Sequence, residues 1–251
     1  STYYYEYDFG FDHFTGIEDW DVSNVTLMHG MFEYTPFNQD ISNWDVSSVT
    51  SMHGMFYNTD FNQPIGNWDV SSVTNMRYMF QSFPPNNPNT PFNQDISNWD
   101  VSNVTSMEGM FYNSDFNQPI GAWNISKLNS TRAMFSYSLF NQDIGNWDVS
   151  NVLDMYGMFK QSTFTKPLTN WDVSNVVNME RMFETTYFNQ PIGNWDVSNV
   201  TNMEFMFSNN VNFNQDLSSW NVNLVNYCQG FAQNTSSWMI SKPNFINCSP
   251  D

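Results

Sequence analysis

The chain has 251 residues, a formal net charge of −18 with only seven Lys plus Arg, and an aromatic content of 18%. The aromatic content excludes a disordered chain, and because no run of about 18 apolar residues exists, we expect no insertion into a membrane. The acidic charge disfavours nucleic acid and anionic lipid as partners, and it favours divalent cations or a basic partner.

The first 16 residues, STYYYEYDFGFDHFTG, are rich in aromatic side chains and do not share the pattern that follows. His13 stands where later repeats have Phe. A stack of repeats needs its first and last units covered. We therefore predict that residues 1–16 form an aromatic N-terminal cap.

Residues 17–232 repeat with a period of 24 or 25 residues, and nine tryptophans mark the repeat. One interval, between Trp68 and Trp99, is 31 residues long. A fixed period in the twenties is typical of repeat architectures. We predict nine stacked coils around one core, because a single coil cannot bury its own apolar face. The tryptophans are Trp20, Trp44, Trp68, Trp99, Trp123, Trp147, Trp171, Trp195 and Trp220.

Apolar residues recur at fixed distances from each Trp. The order Ile-x-x-Trp-x-Val-x-x-Val resembles the leucine-rich-repeat frame, with Trp and Val at leucine positions. The alternation around Trp44 favours a short strand, and the spacing Met-x-x-Met-Phe favours a helical or 3-10 turn. The predicted fold is a right-handed leucine-rich-repeat-like solenoid, with parallel strands on one face and these turns on the other. In the second coil the apolar set is Phe37, Ile41, Trp44, Val46, Val49, Met52, Met55 and Phe56.

The long interval contains an insertion. Residues 81–91, QSFPPNNPNTP, hold four prolines, which prevent regular structure. We predict a loop at residues 82–90 that bulges from one coil. Exposed loops often carry contacts, so this loop is a candidate binding element.

Both cysteines lie near the C-terminus. Cys228 occupies a position where earlier coils have Met, so its side chain should point inward, and residues 233–251 do not repeat. We predict that a Cys228–Cys248 disulfide pins these residues over the last coil as a C-terminal cap. A disulfide implies an oxidising compartment; the alternative is two buried free thiols.

Seven Asn-x-Ser/Thr sequons occur, which are glycan acceptors in a secreted eukaryotic protein. Three of them, at Asn24, Asn103 and Asn199, belong to the repeated SNVT and can be by-products of the structural motif. The candidates for glycosylation are Asn124, Asn234 and Asn247. The seventh sequon is at Asn129.

An acidic column follows the tryptophans, and in the leucine-rich-repeat frame it points onto the concave face. Neighbouring carboxylates repel by roughly 1 kcal/mol in water at about 4 Å, so something must offset the repulsion. Hydrogen bonds from backbone N–H groups two residues on would do so, and so would bound Ca²⁺, which prefers oxygen ligands. The candidate binding residues of this column are Asp45, Asp69, Asp100, Asp148, Asp172 and Asp196.

A second column, nine residues after each Trp, differs between coils. Residues present in every coil are those that every coil needs to fold, whereas specific recognition uses residues that differ. The candidate binding residues here are His29, His53, Arg77, Glu108 and Arg132. His29 and His53 would be stacked neighbours, and although they could pair on zinc, two ligands without a third are a weak site.

The stretch FNQDISNWDVSNVTSMEGMF, residues 92–111, resembles the repeat of the BspA-like leucine-rich-repeat surface-protein family, which is also known from mycoplasma-type lipoproteins. The resemblance extends over nearly the whole chain. It implies a solenoid outside the cell or on its surface, tied loosely to adhesion and protein binding. The family carries no catalytic motif, so no functional residue transfers.

The expected function is an extracellular or cell-surface, non-catalytic adhesion module that binds protein or glycan. The alternative is a structural subunit of a fibre, coat or matrix that assembles with itself, and ice binding is a minor third option. No cofactor is required, although Ca²⁺ on the acidic column is possible. We expect no enzyme, because no Gly-rich phosphate loop or Ser-His-Asp arrangement can be placed in the sequence.

Overall fold

The structure is a computed structural model that describes residues 15–83 and 89–250. Within these residues one helix occurs, the 3-10 helix Ile17–Asp19, and no strand. No helix in this part of the chain is long and apolar enough to cross a membrane. Of the predicted N-terminal cap only Thr15 and Gly16 are described, and residues 84–88 of the predicted loop lie outside the described ranges.

The predicted leucine-rich-repeat-like solenoid is therefore wrong. In place of a sheet, the described residues form isolated parallel bridges such as Leu27 with Ser51 and Ser51 with Asn75. The strand expected around each Trp is absent because the backbone N–H of the Trp forms a hydrogen bond within its own coil. The backbone N–H of Trp44 donates to Ile41 O, which closes a turn. A second turn, from Val49 N–H to Val46 O, follows directly.

The helical turns predicted for the Met-x-x-Met-Phe segments are absent for another reason. Every coil has left-handed backbone about ten residues after its Trp, and eight of the nine coils also have it about fourteen residues after, as in Gly54 (φ 61°) and Asn58 (φ 53°) of the second coil. A left-handed residue cannot continue a right-handed helix. The coil is consequently a series of tight turns.

Main-chain hydrogen bonds between equivalent residues hold the coils in register. Thr50 N–H donates to Thr26 O at 2.8 Å, and Thr74 N–H donates to Thr50 O at 2.8 Å. On another edge of the coil the direction reverses, since Met52 N–H donates to Asn75 O at 2.9 Å. The molecule is thus a stack of turn-rich coils in which each coil satisfies the backbone of its neighbours.

The apolar positions predicted from the sequence fill the core. Phe37 stacks on Phe32 of its own turn at 3.7 Å between ring centroids, and on Phe61 of the next coil at 5.9 Å. Met52 and Met55 are fully buried, as expected for side chains that fill gaps between rings. Burial of these columns is the main force that holds the stack together.

An amide ladder runs along the outside of the stack. Asn38 Oδ1 accepts a hydrogen bond from the backbone N–H of Asn62, and Gln63 Nε2 donates to Asn38 O and Oδ1, all at 2.9–3.0 Å. The same pattern recurs at the Asn62–Asn93 step. These amides connect coils, which is the structural role expected of side chains stacked in register.

The C-terminal residues continue the stack for a short distance. Trp238 packs on Phe213 at 4.7 Å, in the column that Phe fills elsewhere, and Met239 N–H donates to Asn214 Oδ1. The expectation that this segment does not repeat is wrong at these positions. The disulfide predicted between Cys228 and Cys248 is present, with a Cα–Cα distance of 5.9 Å.

Candidate binding face

One face of the stack carries side chains that change from coil to coil. We call it the variable face. It combines the column nine residues after Trp with neighbouring side chains ten, thirteen and fourteen residues after Trp, which contact one another. Its main residues are His29, Tyr34, His53, Tyr57, Arg77, Tyr78, Glu108, Tyr112, Arg132, Tyr137, Tyr156, Lys160, Glu180, Arg181, Glu184 and Phe205.

Ion pairs connect the middle coils of the variable face. Arg77 Nη2 lies 2.5 Å from Glu108 Oε2, and Glu108 Oε1 lies 3.6 Å from Arg132 Nε. Arg132 Nη1 also lies 3.3 Å from Asp154 Oδ2, and the guanidinium carbon of Arg132 lies 3.8 Å from the centroid of the Tyr156 ring. The sequence-predicted residues Arg77, Glu108 and Arg132 are thus brought together across three coils.

A second charged group follows towards the C-terminus. Arg181 Nη1 lies 2.9 Å from Glu184 Oε2, which also pairs with Lys160 Nζ at 3.1 Å. Arg181 Nε lies 3.2 Å from Glu180 Oε1, and its guanidinium lies 4.5 Å from the centroid of the Phe205 ring. These side chains are half-buried, so the face is held in a fixed arrangement.

At the N-terminal end the variable face is built from rings. His29 and His53 have centroids 5.7 Å apart, His29 Nε2 shares a hydrogen bond with Ser51 Oγ, and His53 packs edge-on against Tyr78 at 5.6 Å. No group of three His, Cys, Asp or Glu side chains that could hold a metal is found within residues 15–83 and 89–250. The two histidines are neighbours, as predicted, and His53 packs against the Tyr78 ring.

Two tyrosines of the variable face have strongly raised pKa values. Burial raises the pKa of Tyr112 to about 12, and the neighbouring hydroxyls of Tyr137 and Tyr156 add to the shift. Burial also raises the pKa of Tyr57, helped by a hydrogen bond to Tyr34. Both phenols are neutral at physiological pH, as an ordinary Tyr is, and the raised pKa values keep them neutral in more alkaline solution as well.

The acidic column is exposed, and its carboxylates bind their own loops. Asp45 Oδ1 accepts hydrogen bonds from Ser47 N–H at 3.1 Å and Ser47 Oγ at 2.6 Å. Asp69 makes the same contacts with Ser71. Of the two roles predicted from the sequence for these carboxylates, local hydrogen bonds and Ca²⁺ binding, the structure contains the local hydrogen bonds. The column, which comprises Asp45, Asp69, Asp100, Asp148, Asp172 and Asp196, accepts in every case the N–H of a Ser two residues on.

Hydrogen bonds from serine lower the pKa of carboxyl groups in the acidic column. Those from the Ser47 side chain and backbone lower the pKa of Asp45, and those from Ser102 lower the pKa of Asp100. The neighbouring Asp21 opposes the shift at Asp45 but does not reverse it. Repulsion along the column is therefore offset by donors within each coil.

The sequons differ in how the structure uses the Asn side chain. Asn234 Nδ2 donates to Asn209 Oδ1 and Asn247 Nδ2 donates to Asn223 O, so both candidate acceptor nitrogens hold contacts between coils. Asn124 uses only its Oδ1, which accepts from Ser126, and the residue is exposed. Of the three predicted acceptors, Asn124 has the nitrogen that the fold leaves available.

Three consecutive segments of the chain, residues 7–87, 86–167 and 161–247, match the family described as Mycoplasma protein of unknown function, DUF285. The chain belongs to the DUF285 family. Each DUF285 match spans about three coils, so the unit that defines the family is larger than the period of the tryptophans. The mycoplasma-type part of the predicted resemblance is confirmed. No curated protein matches the chain.

Sequence reasoning missed several members of the variable face. It considered only the column nine residues after Trp and left out Tyr34, Tyr57 and Lys160. The signal was available, since the column thirteen residues after Trp changes from Glu33 to Tyr57 and then to Gln81.

Proposed function

We propose that this DUF285 protein is an extracellular or cell-surface, non-catalytic binding module that recognises protein or glycan through its variable face. One observation carries the proposal: this face holds six tyrosines, three arginines and two histidines, and they differ from coil to coil. Tyr and Arg dominate the energetics of recognition surfaces. The repeated polar columns use their groups to hold the fold.

The location outside the cell is supported by the disulfide between Cys228 and Cys248, because such bonds persist in oxidising environments. The finer resemblance to BspA-like surface proteins belongs to this proposal, as does the role in adhesion. The net charge of −18 supports the expectation that nucleic acid is not a partner.

Binding to cells tests the proposal. Fluorescently labelled protein is titrated onto cultured animal cells and measured by flow cytometry, with excess unlabelled protein as competitor. We expect saturable binding that the competitor abolishes. A linear signal that the competitor leaves unchanged would overturn the proposal.

The structural-subunit alternative has one observation in its favour. The C-terminal segment exposes Met239 by 83% and Ile246 by 63%, and two such segments could pack together. Size-exclusion chromatography with light scattering separates the two functions. Growth of the molar mass with concentration favours the subunit, and a constant monomer mass favours the binding module.

Calcium on the acidic column stays a prediction. The exposed oxygens of Asp45, Asp69 and their equivalents are suitable ligands, but one oxygen of each already accepts hydrogen bonds from Ser. Calorimetry on protein stripped with chelator decides the question. Saturable heat with a raised melting temperature would support a cation site, and the absence of heat would leave the column a local structural feature.

A further inference from the structure

The insertion follows the Trp of the third coil, and a cavity lies near the point where the chain rejoins the stack. Thr90 Oγ1 donates to Phe80 O, ten residues back, whereas Thr59 Oγ1 donates to Phe56 O, three residues back. Thr90 therefore resumes the regular position after the inserted residues. The cavity has a volume of about 220 Å³, and its walls include Tyr34, Asn58, Thr59, Asp60, Ser82 and Thr90.

The exposed Tyr34 ring lines this cavity, and the exposed Phe83 contacts one of the wall residues through its backbone. Tyr34 is 60% exposed, and its ring packs edge-on against Tyr57 with centroids 5.1 Å apart. Phe83 is 59% exposed, and its backbone N–H donates to Asn58 Oδ1 at 2.8 Å. The contact with Tyr57 fixes the orientation of Tyr34, so little side-chain entropy remains to be lost when a ligand stacks on it.

The interior of the cavity is polar. Thr59, Ser82 and Thr90 are buried in its walls. Within residues 15–83 and 89–250, the Asp60 carboxylate has no hydrogen-bond or ion-pair partner, and Asn58 Nδ2 donates to no acceptor. A carboxylate and an amide are thus available to a ligand that offers both donors and acceptors.

The composition of the walls excludes several ligand classes. Among the described residues no Lys, Arg or His lines the cavity, and Asp60 would repel an anion, which disfavours phosphates and carboxylates. The polar walls disfavour an aliphatic ligand, since their groups would lose hydrogen bonds to water. A metal is disfavoured because no group of three or more suitable ligands occurs in the described part of the chain.

We propose that this cavity binds a neutral sugar residue of a glycan, with its C–H face on the Tyr34 ring and its hydroxyls on Asn58 and Asp60. A pyranose ring has the two properties that the site demands, an apolar face and a rim of hydroxyl groups. The inference rests on the proposed function and deepens it, because it names the ligand class and the place.

The chain supplies an aromatic control outside the variable face. Tyr187 is 63% exposed, close to the 60% of Tyr34. It stands sixteen residues after its Trp, in a coil without an insertion. The two tyrosines are thus similarly exposed, but Tyr34 lines the cavity and Tyr187 does not belong to its walls.

Saturation-transfer difference NMR tests the site. The probes are methyl glycosides of glucose, galactose, mannose and N-acetylglucosamine, added singly to the wild type, Tyr34→Ala, Asp60→Asn and Tyr187→Ala. We expect transfer to at least one sugar, with affinity about tenfold weaker in Tyr34→Ala and in Asp60→Asn and unchanged in Tyr187→Ala. Urea midpoints of the variants verify that all are folded.

Two results would overturn the sugar site: no transfer to any of the four sugars, or an equal loss in Tyr34→Ala and Tyr187→Ala. Binding to cells, measured with the same variants, separates this inference from the proposed function. Cell binding that persists while sugar transfer is absent removes the site alone. Loss of both signals in the wild type removes the site and the function together.

Discussion

The indole Nε1 of Trp68 donates a hydrogen bond to the carbonyl oxygen of Ile41 in the preceding coil, at 3.2 Å. Ile41 O also accepts the backbone N–H of Trp44. One buried carbonyl thus closes a turn within its coil and anchors the next coil. Trp44 repeats the contact with Ile17, and Trp99 repeats it with Ile65.

Substitution of Trp68 by Phe should destabilise the stack by about 1 kcal/mol for the lost hydrogen bond, in addition to the lost apolar area. The measurement is the urea midpoint followed by circular dichroism. Trp20→Phe is the control, because Trp20 is 54% exposed. Equal midpoints for the two variants would show that the indole contact does not contribute.

Substitution of Gly109 by Ala should cost more than Gly157→Ala. Both glycines have left-handed backbone, with φ 58° and 56°, so both variants bear a cost of about 1–2 kcal/mol. A Cβ at Gly109 would also meet the Tyr78 ring at 2.7 Å, whereas at Gly157 the nearest atom is Lys160 Cβ at 3.7 Å. Thermal melts of the two variants give the comparison.

A double-mutant cycle with Tyr78→Ala completes that test. Removal of the ring should bring the cost of Gly109→Ala close to that of Gly157→Ala, because the remaining close atom, Gln81 Oε1 at 2.9 Å, is the end of a flexible side chain that can move away. If the cost at Gly109 is the same with and without the Tyr78 ring, the aromatic contact is not the reason for glycine there.

Substitution of Ser47 by Ala should raise the pKa of Asp45 towards its ordinary value of 3.8, because the side-chain hydrogen bond that contributes most to the lowered pKa is lost. A carboxyl with a lowered folded pKa stabilises the fold above its unfolded pKa, and this contribution is lost as the pH falls through the folded pKa. The wild type should therefore lose melting temperature below about pH 4.

Carboxyl titration by NMR measures the pKa directly. Ser48→Ala is the matched control, since the hydrogen bonds to Asp45 come from Ser47 and not from its neighbour. An unchanged Asp45 pKa in Ser47→Ala would contradict the assigned cause.

Replacement of both cysteines by Ser should loosen the C-terminal segment. The cysteines are 20 residues apart in sequence, and closing a loop of about this size stabilises by about 3 kcal/mol in the chain-entropy estimate. Amide hydrogen exchange should rise in residues 233–250 and stay unchanged around Trp68 and Trp99, since each repeat contacts only its neighbours. Uniform acceleration along the chain would show instead that the disulfide supports the whole stack.

The core could be predicted from the sequence because residues at the same position in successive coils occupy the same environment in the stack. Every apolar column predicted around Trp44, from Phe37 to Phe56, is buried. The backbone could not be read in the same way. Arg181 and Phe205 adopt left-handed φ values of 58° and 53°, which sterics disfavour for both residue types. They do so because the same position is Gly in five of the other coils and the stacked hydrogen bonds impose its conformation on every coil.

The candidate site was predictable in part. The variation of the column that holds Arg77, Glu108 and Arg132 is visible in the sequence, and their ion pairs follow from stacking. The cavity beside Tyr34 is not, because it depends on where the chain rejoins the stack after the insertion. Thr90 decides that point through a contact with Phe80, ten residues back.

The proposed binding function depends on the variable face, and one pair of variants tests this directly. Arg132→Ala with Tyr156→Ala removes both partners of the contact at 3.8 Å. No buried charge is left alone, because Glu108 keeps Arg77 and Asp154 keeps a hydrogen bond from Asn178.

The control is Asp69→Asn with Asp148→Asn in the acidic column. Asn is tolerated there, because the natural Asn124 accepts the same hydrogen bonds from Ser126. Both double variants are titrated onto cells beside the wild type in the flow-cytometry assay. We predict that the Arg132 and Tyr156 pair lowers the apparent affinity by about tenfold or more and that the Asp pair leaves it unchanged. The reverse result, with affinity lost in the Asp pair and kept in the Arg132 and Tyr156 pair, would contradict the assignment of the binding face.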